Sequence, residues 1–168
     1  RALGVRFLDA DGGLLDPVPA ALVDVVHVDR ERAMGLPPVE VACDVENPLL
    51  GPSGASAVYG PQKGAGEDEV GFLETALARL VEVTDAAELA GAPGAGAAGG
   101  LGFGLMCFAN ARLRNGFTMV SDALGLSRQV ADVDYVITGE GSLDGQTLQG
   151  KAPMGLAQLA REHGKKVI

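Results

Sequence analysis

The 168-residue sequence contains no tryptophan and only two cysteines, and aromatic residues make up 4% of it. Cys43 and Cys107 lie in the apolar contexts VACDV and LMCFA, far from any histidine cluster. We therefore expect buried thiols in a cytoplasmic protein, and neither a disulfide nor a zinc site. No apolar run reaches the roughly 18 residues of a membrane span. The opening RALGVRFLD lacks the pattern of a secretory signal.

Positive charge is also scarce, because 13 Lys and Arg face 22 Asp and Glu, for a net charge of −9. This balance argues against nucleic acid and anionic membrane surfaces as partners.

Glycine, in contrast, is abundant, with 25 residues in a chain that is 47% apolar and 21% charged. Usual glycine content is about 7%. The rest of the composition is globular, and the length suits one domain or two small lobes. Because the chain starts at Arg1 and stops in KKVI, where an apolar run has just begun, we expect a segment of a longer protein.

Hydrophobic periodicity predicts strands over 22–28, 39–45 and 117–120, and helices over 67–83 and 101–113, with a short helix within 53–59. The clearest pattern comes last. A strand at 134–138, a glycine loop, a helix over 153–162 and a strand from Lys165 form a βαβ unit, which predicts a parallel sheet and an α/β fold.

Polar groups follow the strand at 39–45, where Asp44 and Asn47 open a loop. The two carboxylates of Asp44 and Glu46 and the amide of Asn47 at this strand end suit a cation or a hydroxyl-bearing substrate. Alternatively, they form a solvated strand end, with Asn47-Pro48 simply starting a turn.

Lys63 is flanked by Gly60, Pro61 and Gly64, on a constrained loop that would suit a phosphate-facing cation. The plainer alternative is a surface lysine in a tight turn.

The small-residue tract from 91 to 104 precedes an apolar helix and could bind an anion through backbone N–H groups. It is not a Walker loop, since no Gly-Lys-Ser/Thr follows, and a linker or close helix packing explains it nearly as well. The candidate cofactor-binding glycines are Gly94, Gly96, Gly99 and Gly100.

The loop after the strand at 134–138 is dense in polar groups, at the strand end where α/β sheets bind ligands. Glu140 and Asp144 could hold Mg²⁺, and Lys151 could neutralise phosphate oxygens. Gly139 and Gly141 would let the backbone approach a nucleotide. His27 and His163 have no recognisable catalytic partner, and no Gly-x-Ser-x-Gly elbow is present.

These segments together resemble the bacterial glycerate kinase family. The resemblance covers nearly the whole chain and rests on blocks in the right order: ACDV (42–45), NPL (47–49), GP (51–52), GAS (54–56), GPQKGA (60–65), PGAGAAGGLG (93–102), VITGEG (136–141), Asp144, QT (146–147), GK (150–151) and Pro153. Ser142 stands where relatives commonly have Arg, and the family's N-terminal blocks are absent.

The resemblance implies an ATP-dependent kinase that phosphorylates D-glycerate, with D-glycerate and ATP as small-molecule substrates and Mg²⁺ as cofactor. It implies two domains, a second α/β domain over 1–120 and part of a Rossmann-like parallel-sheet domain over 121–168. For such a kinase, we expect roles for the candidates that follow from their residue types and positions. Lys63, Asp144 and Lys151 would be catalytic, Glu140 and Asp144 would bind the metal, and Asp44 and Asn47 would face the substrate.

Two other functions stay open. The segment could be a non-catalytic anion- or nucleotide-binding module, or part of a kinase for a related sugar acid. We expect the segment by itself to be inactive, and the sequence leaves the oligomeric state open.

Overall fold

The structure is a computed structural model that describes residues 3–16, 18–139 and 152–168. Within these ranges the elements, in chain order, are β1 (Arg6–Leu8), a 3₁₀-helix (Pro19–Asp24), β2 (His27–Asp29), β3 (Glu40–Ala42), α1 (Ala55–Tyr59), a 3₁₀-helix (Pro61–Lys63), α2 (Glu67–Thr84), α3 (Ala87–Ala90), α4 (Ala97–Ala109), β4 (Arg112–Arg114), α5 (Gly116–Leu124), α6 (Leu126–Ala131), β5 (Tyr135–Val136), α7 (Ala152–Glu162) and β6 (Lys166–Val167). None of the helices described there has the length and apolarity needed to cross a bilayer.

The chain divides into two compact units. Unit 1 comprises Arg1–Glu40 and Val45–Leu113, and unit 2 comprises Val41–Asp44 and Arg114–Ile168. The domain limits of 1–120 and 121–168 stay a prediction about the whole protein.

Unit 1 combines an antiparallel strand pair with a helical layer. In the β1–β2 pair, Phe7 lies opposite Val28. The longest helix is α2, and it begins where the Glu69 carboxylate accepts a hydrogen bond from the Gly66 N–H at 2.8 Å. Acidic residues in its first turn suit the positive end of the helix dipole. Helix α2 packs against the Pro19–Asp24 3₁₀-helix and α1, and α1 also packs against α4.

The core of unit 1 forms around Leu49 and Phe103, both fully buried. The same cluster of buried apolar side chains includes Leu80 of α2, Ala55 of α1, Ala86, Ala90 and Ala95. Burial of such side chains is the main favourable contribution to the folding of the unit.

Unit 2 contains the parallel strand pair that the sequence predicts. Strands β5 and β6 pair in parallel, with Val136 opposite Val167. Helix α7 lies between the two strands in the chain, after the undescribed range 140–151. Val136, Val130 and Ala160 form its buried cluster. The predicted α/β architecture with a parallel pair is thus confirmed.

Several element predictions differ from the structure. Residues 117–120 belong to helix α5 and not to a strand, because the Asn115 side chain caps the helix by accepting the Thr118 N–H at 3.0 Å. The 3₁₀-helix Pro19–Asp24, with proline in its first turn, occupies residues 22–24 of the predicted strand 22–28, and the strand β2 begins only at His27. The helix predicted over 101–113 ends at Asn110, whose φ of 49° is left-handed. The two thiols, expected to be buried, are half-buried.

Asp29, at the end of β2 in unit 1, is a charged residue that is buried, with an exposed fraction of only 8%. Its carboxylate accepts the Glu31 N–H at 2.8 Å and pairs with the Arg6 guanidinium. These two interactions, the backbone hydrogen bond first, lower the pKa of Asp29 from its ordinary value.

Asp29→Asn is expected to destabilise the protein at neutral pH and to do so less as the pH falls. A lowered folded-state pKa gives stability that is present above the unfolded-state pKa, about 4, and is lost as the pH falls through the folded-state pKa. Urea unfolding between pH 3 and pH 7 measures this, with Asp24→Asn as the control for an exposed aspartate. A difference in unfolding free energy that stays constant over this range would contradict the assignment.

Candidate functional site

Lys63 lies at the end of a rigid turn in unit 1. Its backbone N–H donates to the Gly60 carbonyl at 2.9 Å, and Gly64 closes the turn with a left-handed φ of 90°. Gly60 lies so close to α1 that a Cβ there would be 2.5 Å from the Ser56 carbonyl oxygen. Among the residues that the structure describes, none forms an ion pair or hydrogen bond with the exposed Lys63 ammonium. The turn therefore presents a cation that is not neutralised by those residues.

A pocket of about 320 Å³ opens beside this lysine. Ser56, Tyr59, Gly60 and Lys63 line one side of it, at helical spacing through α1 and the turn that follows. The rest of the wall is mostly apolar and consists of Pro19, Leu22, Ala55, Leu73, Ala76, Leu77, Ala98 and Gly99. Pockets of a few hundred cubic ångströms with mostly apolar walls and a few polar groups are typical of small-molecule sites.

Lys63 also borders a second, more open groove of about 590 Å³. Asp68, Glu69 and Phe72 of α2 line this groove with Val18. The lysine thus lies at a junction of two concave surfaces of unit 1.

The side chain and the backbone of Asn47 form hydrogen bonds with residues around the pocket. Its Nδ2 donates to the Ser53 carbonyl at 2.8 Å, and its Oδ1 accepts the Tyr59 hydroxyl at 2.8 Å. The Asn47 carbonyl accepts the Gly96 N–H at 2.9 Å. Asn47 therefore holds the pocket residue Tyr59 and the glycine tract in place.

The glycine tract turns sharply within the first residues of α4. Ala98, Gly99 and Gly100 all have left-handed φ angles, of 51°, 77° and 101°. The N–H groups of Gly99 and Gly100 both donate to the Gly96 carbonyl, at 3.2 and 3.3 Å. In this conformation the tract shapes the pocket wall, where Gly99 brings the backbone close without a side chain. Gly94 also has a left-handed φ, of 84°. A contact of these glycines with phosphate stays a prediction.

Asp44 lies in unit 2, whereas Asn47 lies in unit 1. The Asp44 Oδ1 accepts the Gly116 N–H at 2.8 Å and the Asn115 Nδ2 at 3.4 Å. The carboxylate is exposed and lies at the N-terminus of α5, where the helix dipole favours negative charge.

The last candidate segment is the polar loop that follows β5 in unit 2. Gly139 is exposed there and is the last residue described before the gap. Glu140, Gly141, Asp144 and Lys151 lie outside the described residues. Among the residues that are described, no group of three His, Cys, Asp or Glu side chains could hold a metal ion.

The structure thus brings two predicted site residues, Lys63 and Gly99, to one pocket and connects Asn47 to it through Tyr59. It also places Ser56, a residue of the GAS block (54–56) for which the sequence predicts no role, in the pocket wall. The signal that could have found Ser56 is its position seven residues before Lys63 on a predicted helix-and-turn segment.

Comparison with known proteins gives consistent results along the chain. The model of the glycerate kinase family matches residues 1–168. A glycerate kinase from Halalkalibacterium halodurans is 41% identical over 174 residues, which cover 100% of this chain and 46% of that protein. The glycerate 2-kinase of Escherichia coli is also 41% identical, over 177 residues, with the same two coverages.

A solved structure agrees with these relatives. The crystal structure named as a glycerate kinase 2 from Salmonella typhimurium LT2 matches with a TM-score of 0.86 and 42% identity, covering 99% of this chain and 46% of that one. The chain therefore spans about half the length of the relatives it matches. Because the family model matches every residue of the sequence, the chain belongs to the glycerate kinase family.

Proposed function

We propose that the full-length protein carrying this chain transfers the γ-phosphoryl group of ATP to D-glycerate and forms 2-phosphoglycerate. The observation that carries the proposal is the family match over all 168 residues. The name of the Escherichia coli relative, glycerate 2-kinase, supports the position of the phosphorylated hydroxyl. The cytoplasm is the proposed location, and the two half-buried thiols suit its reducing conditions.

In the proposed reaction, a glycerate hydroxyl oxygen attacks the γ-phosphorus, the bond between that phosphorus and the leaving oxygen of ADP breaks, and the hydroxyl loses its proton. Catalysis of this kind depends mainly on positioning and on offsetting charge at the phosphoryl oxygens. Lys63 suits the second task, because its ammonium is exposed at the mouth of a pocket and its backbone is fixed by Gly60 and Gly64.

The other proposed roles rest on the residue types of the candidates and on their positions in the sequence. Asp144 and Lys151 would act on the hydroxyl and on the phosphate, and Glu140 with Asp144 would bind Mg²⁺, which would offset charge on the nucleotide phosphates. The glycines proposed to bind the ATP cofactor are Gly94, Gly96, Gly99, Gly100, Gly139 and Gly141. Asp44 and Asn47 are proposed on the substrate side. Since Asn47 bonds Tyr59 and Ser53, orienting the site is the role that we propose for it.

Purified full-length protein tests the activity. With ATP, Mg²⁺ and D-glycerate, a coupled assay should record ADP formation, and ³¹P NMR should show a phosphate ester at carbon 2. L-glycerate and other small sugar acids serve as alternative acceptors. ATP binding without ADP formation on any acceptor would overturn the kinase proposal and favour a nucleotide-binding module. Faster turnover of another sugar acid would overturn the choice of glycerate.

A further inference from the structure

Glu74, in the middle of α2, holds the loop that precedes α1. Its Oε1 accepts the Gly51 N–H at 2.6 Å. Its Oε2 is buried and forms no hydrogen bond with any residue that the structure describes. A carboxylate that is partly withdrawn from water and bonds a backbone N–H forms a short, charge-assisted hydrogen bond, which is stronger than one between neutral groups. The contact with Gly51 is therefore a firm attachment of this loop to α2.

The loop leads through α1 to Lys63 by a series of backbone hydrogen bonds. The Gly54 N–H donates to the Gly51 carbonyl at 2.8 Å, and the Val58 N–H donates to the Gly54 carbonyl at 3.1 Å. Gly60 directly follows α1, and its carbonyl accepts the Lys63 N–H at 2.9 Å. Because each turn is bonded to the next, a displacement of Gly51 moves the backbone that carries Lys63.

The same segment is attached to α2 at its other end. The Glu69 carboxylate accepts the Gly66 N–H at 2.8 Å, and Gly60 lies so close to α2 that a Cβ there would be 3.0 Å from the Val70 Cγ2. Residues 51–66 are thus held along α2 by two of its carboxylates, those of Glu69 and Glu74.

The pocket beside Lys63 lies between this segment and α2. Tyr59 and Lys63 line it from the segment, and Leu73 and Leu77 line it from α2. Glu74 is not among the described residues that line the pocket, so its carboxylate acts on the backbone of the segment and not on a bound molecule.

We propose that Glu74 is a positioning residue for the kinase reaction, which holds α1 and the turn after it so that the Lys63 ammonium stays at the pocket. The proposal rests on the proposed function for the reaction and for the role of Lys63. Glu69 holds the other end of the segment, but it also caps α2. Glu74 lies inside the helix, where alanine and glutamine are good helix formers, so its replacement changes the attachment and leaves α2 intact.

Replacing Glu74 in the full-length protein tests the attachment. Glu74→Ala removes the acceptor of the Gly51 N–H and is expected to lower kcat for glycerate phosphorylation about tenfold, because a small displacement of a catalytic group slows the reaction strongly. Glu74→Gln still offers an oxygen to this N–H and should recover kcat to within about threefold of the wild type. Glu82→Ala is the matched control, because Glu82 is an α2 carboxylate whose partner is Arg79, and it should leave kcat within about twofold.

A double-mutant cycle with Lys63→Met separates positioning of the lysine from a general loss of structure. Once the ammonium is absent there is nothing left to position, so Glu74→Ala should lower the remaining kcat by less than about twofold. A further tenfold loss in the Lys63→Met protein would show that the two residues act independently and would overturn the proposal. Wild-type kcat in the Glu74→Ala protein would overturn it as well.

Calorimetric titration with ATP applies the same cycle without turnover. Glu74→Ala is expected to raise the Kd of ATP about fivefold when Lys63 is present and to leave it within about twofold in the Lys63→Met protein, because the lysine is the cation proposed to face the phosphates. If the protein binds ATP and phosphorylates no acceptor, the kinase function fails, and this pattern of Kd values still supports the role of Glu74. If glycerate is phosphorylated and the two variants act independently, the kinase function stands and the role of Glu74 is overturned.

Discussion

Replacing Lys63 with methionine in the full-length protein is expected to lower kcat for glycerate phosphorylation by about 10²- to 10³-fold. Methionine keeps a similar length and removes the charge. The loss should be large because the Lys63 ammonium is the cation that unit 1 presents at the pocket, and no described carboxylate pairs with it. Steady-state rates at saturating ATP and glycerate measure the effect.

Two further variants test whether the expected loss of kcat comes from removing the charge of Lys63. Lys63→Arg keeps the charge and should recover part of the rate, although its planar guanidinium differs from an ammonium as a phosphate partner. Gln62→Met introduces the same side chain at the neighbouring exposed position of the same turn and should leave kcat within about twofold. A Lys63→Met protein that folds normally and retains most of its kcat would remove Lys63 from the catalytic machinery.

The candidate site was predictable from the sequence where local chemistry determines it. Gly60, Pro61 and Gly64 mark a constrained turn in any context, so the exposed position of Lys63 follows from its neighbours. The burial of Ser56 does not follow in this way, because its helix α1 packs against α2 and α4, which are distant in sequence. An unpaired buried hydroxyl is a tertiary property.

The secondary-structure elements differ in the same way, because some follow from a local pattern and others depend on a single capping residue. Helix α2 was predicted nearly to the residue because its apolar positions repeat at helical spacing behind an acidic first turn. Residues 117–120 were misassigned because their Phe-Thr-Met-Val composition suits a strand, while one side chain, Asn115, starts a helix there. A single cap or proline can thus override the propensity of a short segment.

The glycine tract raises the question of which glycines serve packing and which serve a ligand, and Gly96 is a glycine that packing requires. Its backbone lies so close to the loop that starts α1 that a Cβ would be 2.3 Å from the Pro48 carbonyl oxygen. The φ of Gly96 is −79°, so alanine meets no conformational penalty there and only the contact matters. Gly96→Ala is therefore expected to lower the free energy of unfolding by about 3 kcal/mol, because a backbone carbonyl cannot move aside cheaply.

Gly99 is the matched comparison within the same tract. A Cβ at Gly99 would have no atom within 4 Å, but its φ of 77° is left-handed. Gly99→Ala should cost only about 1 kcal/mol, from backbone strain. Urea unfolding of both variants, followed by circular dichroism, measures the difference. If Gly99→Ala were the more destabilising of the two, the close contact of Gly96 with Pro48 would not be what requires glycine in this tract. If both kept wild-type stability and lost ATP binding, the tract would serve the nucleotide and not the packing of unit 1.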